Sequence, residues 1–565
     1  MDMLAEKAVS FSRFLLPLLA IWLLVRCVRS MLSEKYEPEL WAYLEAPSGE
    51  RAEIRHWECI IGSARSCDVV IRDKSVARTH AAIMRSGRGV WTLYDLDSEC
   101  GSAAGETEDE GGGVVIRDGD TLRVGSVRFV FHALTDREIA AVNSERTAPG
   151  RFISPSLTLL VLTVFQTFLA LQFTASLDGN ALFTVALSFA ALIAAEWSCY
   201  FVMRSIDRTG FEVETLAFFL SSLGMAVAAS SSPDDMLKQL LLLFAAILFF
   251  VILGWWLRDP GRTKLMRWSA AMAALGFLAL NLLAGDTAYG ATNWLSIGGF
   301  SLQPSEFVKV AYIYAGAAAL DRLFRGRNLF MFIAFSAVCV GALALMGDFG
   351  TALIFFVTFL VISFMRSGSF ATVFLAVAGA ALGVMLVLTV KPYIARRFAA
   401  WGHIWDDPYG AGWQQTRALA AAASGGLTGR GAGKGWLKNI FAADTDMVFC
   451  MLCEELGLLV AICAMLAIII LALFTVRSAA QGRSSYYVIA ACAASAMMMV
   501  QLALNVFGSV DLLPFTGVTF PFVSRGGSSL ISCWGLLAFI KASDTRANAS
   551  FSVKAGPGAK EAEEE

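Results

Sequence analysis

The chain has 565 residues, of which 57% are hydrophobic and only 16% are charged, and its formal net charge is −2. Soluble domains carry about 25% charged residues, so this composition predicts a polytopic membrane protein. The near-zero charge argues against a nucleic-acid-binding protein. Eleven scattered cysteines and four widely spaced histidines argue against a disulfide framework and a dedicated zinc site.

The first predicted element is an apolar helix at residues 11–32, FSRFLLPLLAIWLLVRCVRSML. It resembles a signal peptide, but no small-residue cleavage site follows it. We therefore interpret it as a retained transmembrane anchor, with the Arg13, Arg26 and Arg29 side chains extending from its ends toward water. A helix that lies on the membrane surface is the alternative.

Residues 37–134 are polar and contain short β-rich runs, such as HWECIIG and TLRVGSVRFVFH, separated by Gly, Asp and Ser. This pattern predicts a small all-β sandwich. The charged residues 135–150 that follow are predicted to form a linker.

About twelve apolar segments follow within residues 151–545, and each is long enough to cross a hydrocarbon core of about 30 Å. They lie near 153–173, 181–203, 214–230, 237–257, 267–285, 305–320, 328–346, 351–365, 372–391, 447–475, 485–506 and 528–541. One long connection, residues 391–446, interrupts them, and the tail 546–565 is predicted to be disordered. The predicted fold class is therefore a polytopic α-helical membrane protein with an N-terminal anchor helix and a small β-sandwich.

Basic residues follow alternate segments, which orients the chain by the positive-inside rule. Arg258, Arg262, Arg477, Arg483 and Arg546 all fall on one side if the sandwich and the C-terminus are cytoplasmic. The N-terminus and the connection 391–446 are then predicted to lie outside the cell.

The connection 391–446 contains an acidic pair, Asp406 and Asp407, in the sequence DDPYG. The cations of this connection are Arg396, Arg397, Arg417, Arg430, Lys434 and Lys438. Cations beside a carboxylate suit an anionic substrate such as a diphosphate, and the carboxylate can act as a general base. The competing interpretation is a solvated turn, because Asp-Pro often begins turns. The run SGGLTGRGAGKG lacks the residue order of a phosphate-binding P-loop.

Charged residues also occur inside or beside the apolar segments. Glu306 and Lys309 are three residues apart, so we predict that they share a helix face as an ion pair, either functional or a structural clasp. Asp348 and the pair Glu454–Glu455 pose the same alternatives. Residues 512–530, LLPFTGVTFPFVSRGGSSL, are too polar and glycine-rich to span, which predicts a re-entrant loop that lines a cavity.

Five stretches carry a family resemblance between residues 290 and 540: NWLSIGGFSLQPSEFVK, GDFGTAL, DDPYGAGWQQTRALAAAASGGLTGRGAGKG, TDMVFCMLCEELG and LPFTGVTFPFVSRGGSSL. In these stretches the chain resembles the SEDS family (shape, elongation, division and sporulation), the FtsW/RodA/SpoVE-like proteins. The resemblance implies a peptidoglycan glycosyltransferase that polymerises lipid II outside the cytoplasmic membrane, usually with a class B penicillin-binding protein.

The resemblance also implies roles for individual residues. It places the essential acid at Asp407, with Asp406 as the second choice, to deprotonate the hydroxyl of the acceptor sugar. The residues expected to bind substrate are Glu306, Lys309, Arg396, Arg417, Ser528 and Ser529. A divalent cation, magnesium or manganese, on the substrate diphosphate is compatible with this chemistry, although the sequence indicates no ligand set for it.

The chain departs from the family pattern at two positions where the side-chain charge differs. Asn293 stands where the family has Arg before Trp, and Arg525 stands where the family has Tyr in SYGGSS. One hypothesis is that Arg525 supplies the charge that is missing at Asn293. The family core usually has ten helices, and the surplus here lies ahead of the first motif.

The sandwich resembles a forkhead-associated (FHA) domain in the stretches IIGSARSCDVVIRDKSVARTHAAI, WTLYDLDSECGS and IRDGDTLRVGSVRFVF. FHA domains bind phosphothreonine peptides through loop residues, which here would be Arg65, Arg78 and His80. Ser63, Ala77 and Cys100 replace the usual Arg, Ser and Asn, and the loss of an arginine and a hydroxyl removes charge-assisted hydrogen bonds to phosphate. The alternative is a docking domain that has the fold without the site.

Two other functions stay open on the sequence. A lipid II flippase would use the same helices and internal charges, with the acid in the long connection incidental. A non-catalytic scaffold would recruit partners through the FHA-like domain. The predicted partners are lipid II, membrane lipid, a class B penicillin-binding protein and a phosphothreonine protein.

Overall fold

The computed structural model describes residues 2–546, apart from 34, 37–38, 66, 87–88, 97, 106, 110–112, 136, 140, 143–146, 149–152, 207, 209, 259, 289–290, 298–299, 320–325, 368–369 and 391–400. The first element is a helix, α1 (Asp2–Ser33), whose residues 10–33 are apolar and long enough to cross a membrane. Leu16, Leu23 and Cys27 form a buried stripe along α1. The anchor predicted at 11–32 is therefore a helix of spanning length. The tail after Arg546 lies outside the described residues.

Residues 42–133 form two packed β-sheets. The strands of this region and its flanks are β1 (Lys35–Tyr36), β2 (Ala42–Glu45), β3 (Arg51–Ile54), β4 (Glu58–Gly62), β5 (Val69–Val70), β6 (Ala81–Arg85), β7 (Trp91–Asp95), β8 (Ser102–Ala104), β9 (Thr107–Glu108), β10 (Val114–Ile116), β11 (Thr121–Val124), β12 (Val127–Ala133) and β13 (Thr147–Ala148). One sheet has the order β10-β7-β6-β4-β5 and the other β3-β2-β12-β11-β8-β9. Alternate residues such as Phe129 and Phe131 of β12 are buried, as expected for strands with one core face. The predicted all-β sandwich is confirmed.

The rest of the chain is mainly helical. Its helices are α2 (Pro155–Gln172), α3 (Gly179–Ser205), α4 (Glu212–Ser231), α5 (Met236–Leu257), α6 (Pro260–Leu265), α7 (Arg267–Ala284), α8 (Pro304–Ala319), α9 (Gly326–Met346), α10 (Phe349–Ser367), α11 (Phe370–Val390), α12 (Trp413–Gly425), α13 (Ala443–Asp446), α14 (Val448–Glu455), α15 (Leu458–Ala479), α16 (Ser485–Ser509) and α17 (Gly527–Ser543). A small sheet, β14 (Asp286–Ala288), β15 (Ala291–Ile297) and β16 (Phe300–Leu302), precedes α8. Among the described residues, nine helices including α1 are long and apolar enough to span a membrane. The polytopic helical fold is confirmed, since a helix satisfies its own backbone hydrogen bonds in lipid.

The predicted segment 447–475 is wrong as a single span, because a break divides it into α14 and α15. Gly457 lies at the break with a φ of 92°, a left-handed conformation that favours glycine. A Cβ at this position would lie 2.3 Å from the carbonyl oxygen of Leu427. Of the two helices only α15 has spanning length, whereas α14 packs on α12.

The segment between α16 and α17 has irregular backbone that packs inside the protein. Phe520, Phe522 and Val523 are buried, and Phe522 has a φ of 64°. The hydroxyl of Ser524 accepts a hydrogen bond from the Phe520 N–H at 2.7 Å. Irregular backbone within a helical bundle must be buried in protein, as the sequence predicts for this segment.

Contacts of α1 identify the two ends of the helix bundle. Arg13, near the start of α1, donates a hydrogen bond to the carbonyl of Gly429 in residues 401–446, here called the long loop. Arg477, at the end of α15, donates to the carbonyl of Met31 at 3.0 Å. Residues 13 and 31 are about 27 Å apart along an α-helix, so the long loop and the end of α15 lie at opposite ends.

The sandwich contacts the turn between α15 and α16. Arg483 in this turn forms a buried ion pair with Glu39. The Trp57 N–H donates to the Arg483 carbonyl at 2.7 Å, and the Ser484 hydroxyl donates to Glu58 at 2.9 Å. The sandwich therefore lies at the end of the bundle away from the long loop.

Candidate active site

A cavity of about 1480 Å³ lies where the long loop meets the helix bundle. Its wall combines α8, the start of α10, the start of α12 and the irregular segment before α17. The predicted site residues that line it are Glu306, Lys309, Ser528 and Ser529. Pockets for small molecules usually measure about 300–1,000 Å³, so this cavity has room for a larger substrate.

Glu306 and Lys309 form a buried ion pair in the wall of this cavity. They share one face of α8, as their spacing predicts. Lys309 Nζ lies 2.8 Å from Glu306 Oε1 and 3.1 Å from Gln501 Oε1. The two side chains are only 3% and 1% exposed. Among the described residues the buried Glu306 Oε2 has no hydrogen-bond partner, so this carboxylate has an unused acceptor beside the cavity.

Ser528 and Ser529 lie in the first turn of α17 and also face the cavity. The Ser528 hydroxyl accepts a weak hydrogen bond, at 3.4 Å, from the Gln303 N–H. The Ser529 and Thr519 hydroxyl oxygens are 3.0 Å apart. These hydroxyls connect the start of α17 to the residue before α8 and to the irregular segment.

Asp407 lies at the rim of the cavity and not within its lining. Its side chain is exposed and holds a tight turn, because Oδ1 accepts the Gly410 N–H at 2.9 Å and Oδ2 accepts the Ala411 N–H at 3.0 Å. Gly410 and Ala411 themselves line the cavity. A Cβ on Gly410 would lie 2.1 Å from Asp407 Oδ2, so the glycine of DDPYG is needed for this turn.

Arg417 supports the same turn from α12. Its Nη1 donates to the Pro408 carbonyl at 2.5 Å, and its guanidinium stacks 3.4 Å from the centre of the Trp413 ring. Asp406 instead faces His403, with 3.3 Å between the carboxylate and Nδ1, and both side chains are largely exposed. The structure thus separates the two acids of DDPYG, and Asp407 is the one joined to the cavity.

The other described cations of the long loop lie away from the DDPYG turn. Arg430 pairs with Glu454 at 3.6 Å, and Lys438 donates to the Gly433 carbonyl at 2.7 Å. Within the described part of the loop, Arg417 is the cation whose contacts join it to this turn. Arg396, a predicted substrate-binding residue, lies outside the described residues.

Backbone N–H groups in and directly after the glycine-rich run SGGLTGRGAGKG donate to protein carboxylates, so they do not form a phosphate-binding site. Glu454 accepts the N–H groups of Trp436 and Leu437, both at 3.0 Å. Glu455 accepts the Gly433 N–H at 2.9 Å and a hydrogen bond from Ser230. Burial raises the pKa of the Glu455 carboxyl from 4.5 to about 7. Of the two alternatives for Glu454–Glu455, the structural clasp is the one that these contacts support.

Sequence reasoning missed two acids of the cavity, Asp444 and Asp446, which line it beside Asp348 and Arg525. Asp446 is the second residue of the quoted motif TDMVFCMLCEELG, and Asp444 comes directly before that motif, so the motif signalled Asp446 only. Asp348 caps α10 by accepting the Thr351 N–H at 3.0 Å. Arg525 pairs with Asp444, and the hypothesis that it replaces a charge at Asn293 stays a prediction.

The predicted phosphopeptide residues lie in the sandwich, far along the chain from the cavity. Arg65 and Arg78 are exposed. His80 is fully buried, and its ring nitrogens lie 3.0 Å from the Ala77 N and 3.1 Å from the Gly101 carbonyl oxygen. His80 therefore holds two loops together, and only the two arginines are available to a ligand.

Comparisons with known proteins cover both parts of the chain. Residues 213–548 match the family model of FtsW, RodA and SpoVE, described as cell cycle protein. Residues 46–135 match a model described as the inner membrane component of T3SS, cytoplasmic domain. A solved FHA domain, from work on phosphothreonine-dependent interactions, is 25% identical over 17% of this chain and 98% of that chain, with a TM-score of 0.16.

Curated relatives include the peptidoglycan glycosyltransferase RodA of Mycobacterium bovis, 29% identical over 50% of this chain and 65% of that protein. This chain thus spans just under two thirds of that relative. Stage V sporulation protein E of Bacillus subtilis is 32% identical over 46% of this chain and 75% of that protein. A chain of a solved peptidoglycan synthase complex, which coordinates polymerization and crosslinking, is 25% identical over 60% of this chain and 98% of that chain, with a TM-score of 0.50.

Proposed function

Because the chain belongs to the FtsW/RodA/SpoVE family of cell cycle proteins, we propose that it is a peptidoglycan glycosyltransferase that polymerises lipid II at the outer face of the cytoplasmic membrane. The observation that carries the proposal is the cavity of about 1480 Å³, which contains the Glu306–Lys309 pair and has the Asp407 turn at its rim. The name of the mycobacterial relative supports the same activity.

The proposed orientation puts the sandwich in the cytoplasm and the long loop outside. Arg477, Arg483 and Arg546 support it, because all three lie at the sandwich end of the bundle, as the positive-inside rule requires. The description of the family model matched by the sandwich, a cytoplasmic domain of an inner membrane component, agrees with this orientation.

In the proposed reaction Asp407 accepts the proton of the acceptor sugar hydroxyl. That oxygen attacks the anomeric carbon of the donor, and the bond to the lipid diphosphate breaks, which inverts the anomeric carbon. Each oxygen of Asp407 accepts one backbone N–H, and a carboxylate has about four lone-pair sites, so about two stay available to accept the proton. Of the two described cations that line the cavity, Lys309 and Arg525, Lys309 is the one proposed to face the leaving diphosphate.

A divalent cation on the diphosphate stays a prediction. No group of three or more His, Cys, Asp or Glu side chains within the described residues is placed to hold a metal ion. A divalent cation that accompanies the substrate would be held mainly by the oxygens of the diphosphate.

The proposed partners are a class B penicillin-binding protein at the membrane and a phosphothreonine protein at the sandwich. The solved synthase complex that resembles this chain supports a protein partner in general. The exposed Arg65 and Arg78 are the residues proposed to meet a phosphate group.

The direct test is polymerisation of lipid II by the purified full-length chain, with glycan products resolved on a gel. Asp407→Asn keeps one acceptor oxygen for the turn but removes the base, and loss of a general base typically costs about 10²–10⁴-fold in rate. We expect at least a 100-fold loss for D407N and less than about a threefold change for D406N. Wild-type activity in D407N would contradict the proposal, and a loss confined to D406N would move the base to the neighbouring acid.

Transport of lipid II is the second candidate, and the observation that favours it is a large cavity between helices whose wall contains a buried ion pair. Proteoliposomes with fluorescent lipid II separate the two functions. Translocation by the wild type that D407N leaves unchanged, without glycan product, would favour the transporter.

A further inference from the structure

A second, smaller cavity of about 440 Å³ adjoins the candidate active site. The residues that line both cavities are Trp294, Asp444, Thr445, Arg525, Gly526 and Ser528. The far wall of the smaller cavity is the start of α5 with the residue before it, and its floor includes the apolar side chains of Phe307 and Ile531. The two cavities therefore share a partition, formed by the start of α17, the end of the long loop and Trp294.

Arg525 is the centre of this partition. Its Nη2 lies 2.5 Å from Asp235 Oδ2, and its Nη1 lies 3.1 Å from Asp444 Oδ2 and 2.7 Å from the Ser232 hydroxyl. Its backbone N–H also donates to the Asp444 carbonyl at 2.8 Å. One guanidinium thus joins the turn between α4 and α5, the end of the long loop and the start of α17.

The charges favour a mechanical role over direct binding of an anion. One guanidinium faces two carboxylates, Asp235 and Asp444, so protein groups already balance the charge of Arg525. Three of its hydrogen-bonding contacts are already to protein groups, and a guanidinium has five donors in a fixed plane. The Arg525 side chain is 31% and Asp444 18% exposed, whereas Asp235 is 53% exposed, so the contact with Asp444 is the one that is partly shielded from water.

We propose that Arg525 is a positioning residue, whose guanidinium clamps the end of the long loop to the α4–α5 turn and so fixes the partition between the two cavities. The clamp holds the loop that carries the Asp407 turn against the bundle. The proposal rests on the polymerase function proposed above. A displacement of about 1 Å at a reacting group can cost about 100-fold in rate, so the clamp affects turnover more than substrate affinity.

The test compares purified full-length Arg525→Gln and Asp235→Asn with a matched control, Asp234→Asn, whose exposed side chain neighbours Asp235. Initial rates of lipid II polymerisation against lipid II concentration separate kcat from KM. We expect R525Q and D235N each to lower kcat by about tenfold with KM changed less than about twofold, a part of the cost that misplaced groups can have. R525K, which keeps the charge but loses the planar fork, is expected to fall in between, and D234N to match the wild type.

Direct binding of the diphosphate by Arg525 predicts a different pattern. D235N would then free the guanidinium and lower KM, whereas R525Q would raise it. Opposite effects of the two variants, or wild-type kinetics in both, would overturn the proposal.

A second readout needs no activity and separates this proposal from the function it rests on. Trypsin cleaves exposed loops, and Arg430 and Lys434 are exposed in the long loop. We expect faster cleavage there in R525Q and D235N than in D234N and the wild type. If the wild type makes no glycan, the polymerase function fails, and equal cleavage rates in all four proteins would separately refute the clamp.

Discussion

Asp407 holds a tight turn and is also the proposed base. A substitution at Gly410 tests whether the reaction needs the geometry of this turn. A Cβ at position 410 would lie 2.1 Å from Asp407 Oδ2, so Gly410→Ala must displace the Asp407 carboxylate from the turn without changing that residue. We expect at least a tenfold loss of polymerisation rate, since catalytic groups must be held in place to a fraction of an ångström.

The matched control is Gly276→Ala in α7, where an added Cβ meets nothing within 4 Å. Rates measured with lipid II on gels should be unchanged in G276A. An active G410A would mean that the observed turn geometry is not needed for the reaction.

The Glu306–Lys309 pair offers a second residue-scale prediction. Lys309→Met leaves the carboxylate of Glu306 buried without its cation, and breaking a buried pair costs about 3–5 kcal/mol. We expect a lower unfolding temperature and no activity in K309M. The double variant E306Q/K309M should recover most of the stability but not the activity, and equal stability of the single and double variants would contradict the pair.

The glycine-rich run is an element whose stability depends on the Glu455 carboxyl, which accepts the Gly433 N–H. In the folded state its pKa is about 7, above the ordinary 4.5, so the carboxyl stabilises the fold most below about pH 4.5. This contribution is lost as pH rises through 7. The unfolding temperature of the wild type in detergent should therefore fall between pH 5 and pH 8, and less so in Glu455→Gln. Identical pH dependence in the two proteins would exclude a role for this carboxyl.

The sequence predicted most elements because their signals are local. A run of about 20 apolar residues is enough to predict a membrane helix, and alternating strand residues are enough to predict the sandwich. The break at Gly457 was not predicted, because apolar residues continue on both sides of it. The requirement for glycine there comes from the Leu427 carbonyl, which approaches from the long loop.

The candidate site was predicted only in part, for a related reason. The face shared by Glu306 and Lys309 follows from helix geometry, and the Asp407 turn follows from the DDPYG motif. The Arg525 cluster joins residues 81 and 290 positions apart, and no local pattern encodes such pairs. The cations of the long loop were grouped around the acidic pair on sequence alone, but Arg430 pairs with Glu454 instead. This pairing forms only when the loop folds onto α14, so no local pattern predicts it.

At the scale of the whole molecule, the part of the chain ahead of the family match supports the long loop. The match begins at residue 213, so α1, the sandwich, α2 and α3 precede it. Arg13 of α1 donates to Gly429, and Gln172 of α2 accepts the Ala432 N–H at 2.9 Å. The anchor helix α1 and the helix α2, both ahead of the family match, therefore brace the loop that carries the proposed base.

The most direct test of a reaction at the outer face is to measure on which side of the membrane the Asp407 turn lies. In intact cells that express the full chain, a membrane-impermeant maleimide should label Asp406→Cys, whose position is 79% exposed beside the intact Asp407. The native Cys100, exposed in the sandwich, serves as the internal control and should react only after the cells are permeabilised. Labelling of Cys100 in intact cells, with position 406 protected until permeabilisation, would reverse the orientation and contradict polymerisation outside the membrane.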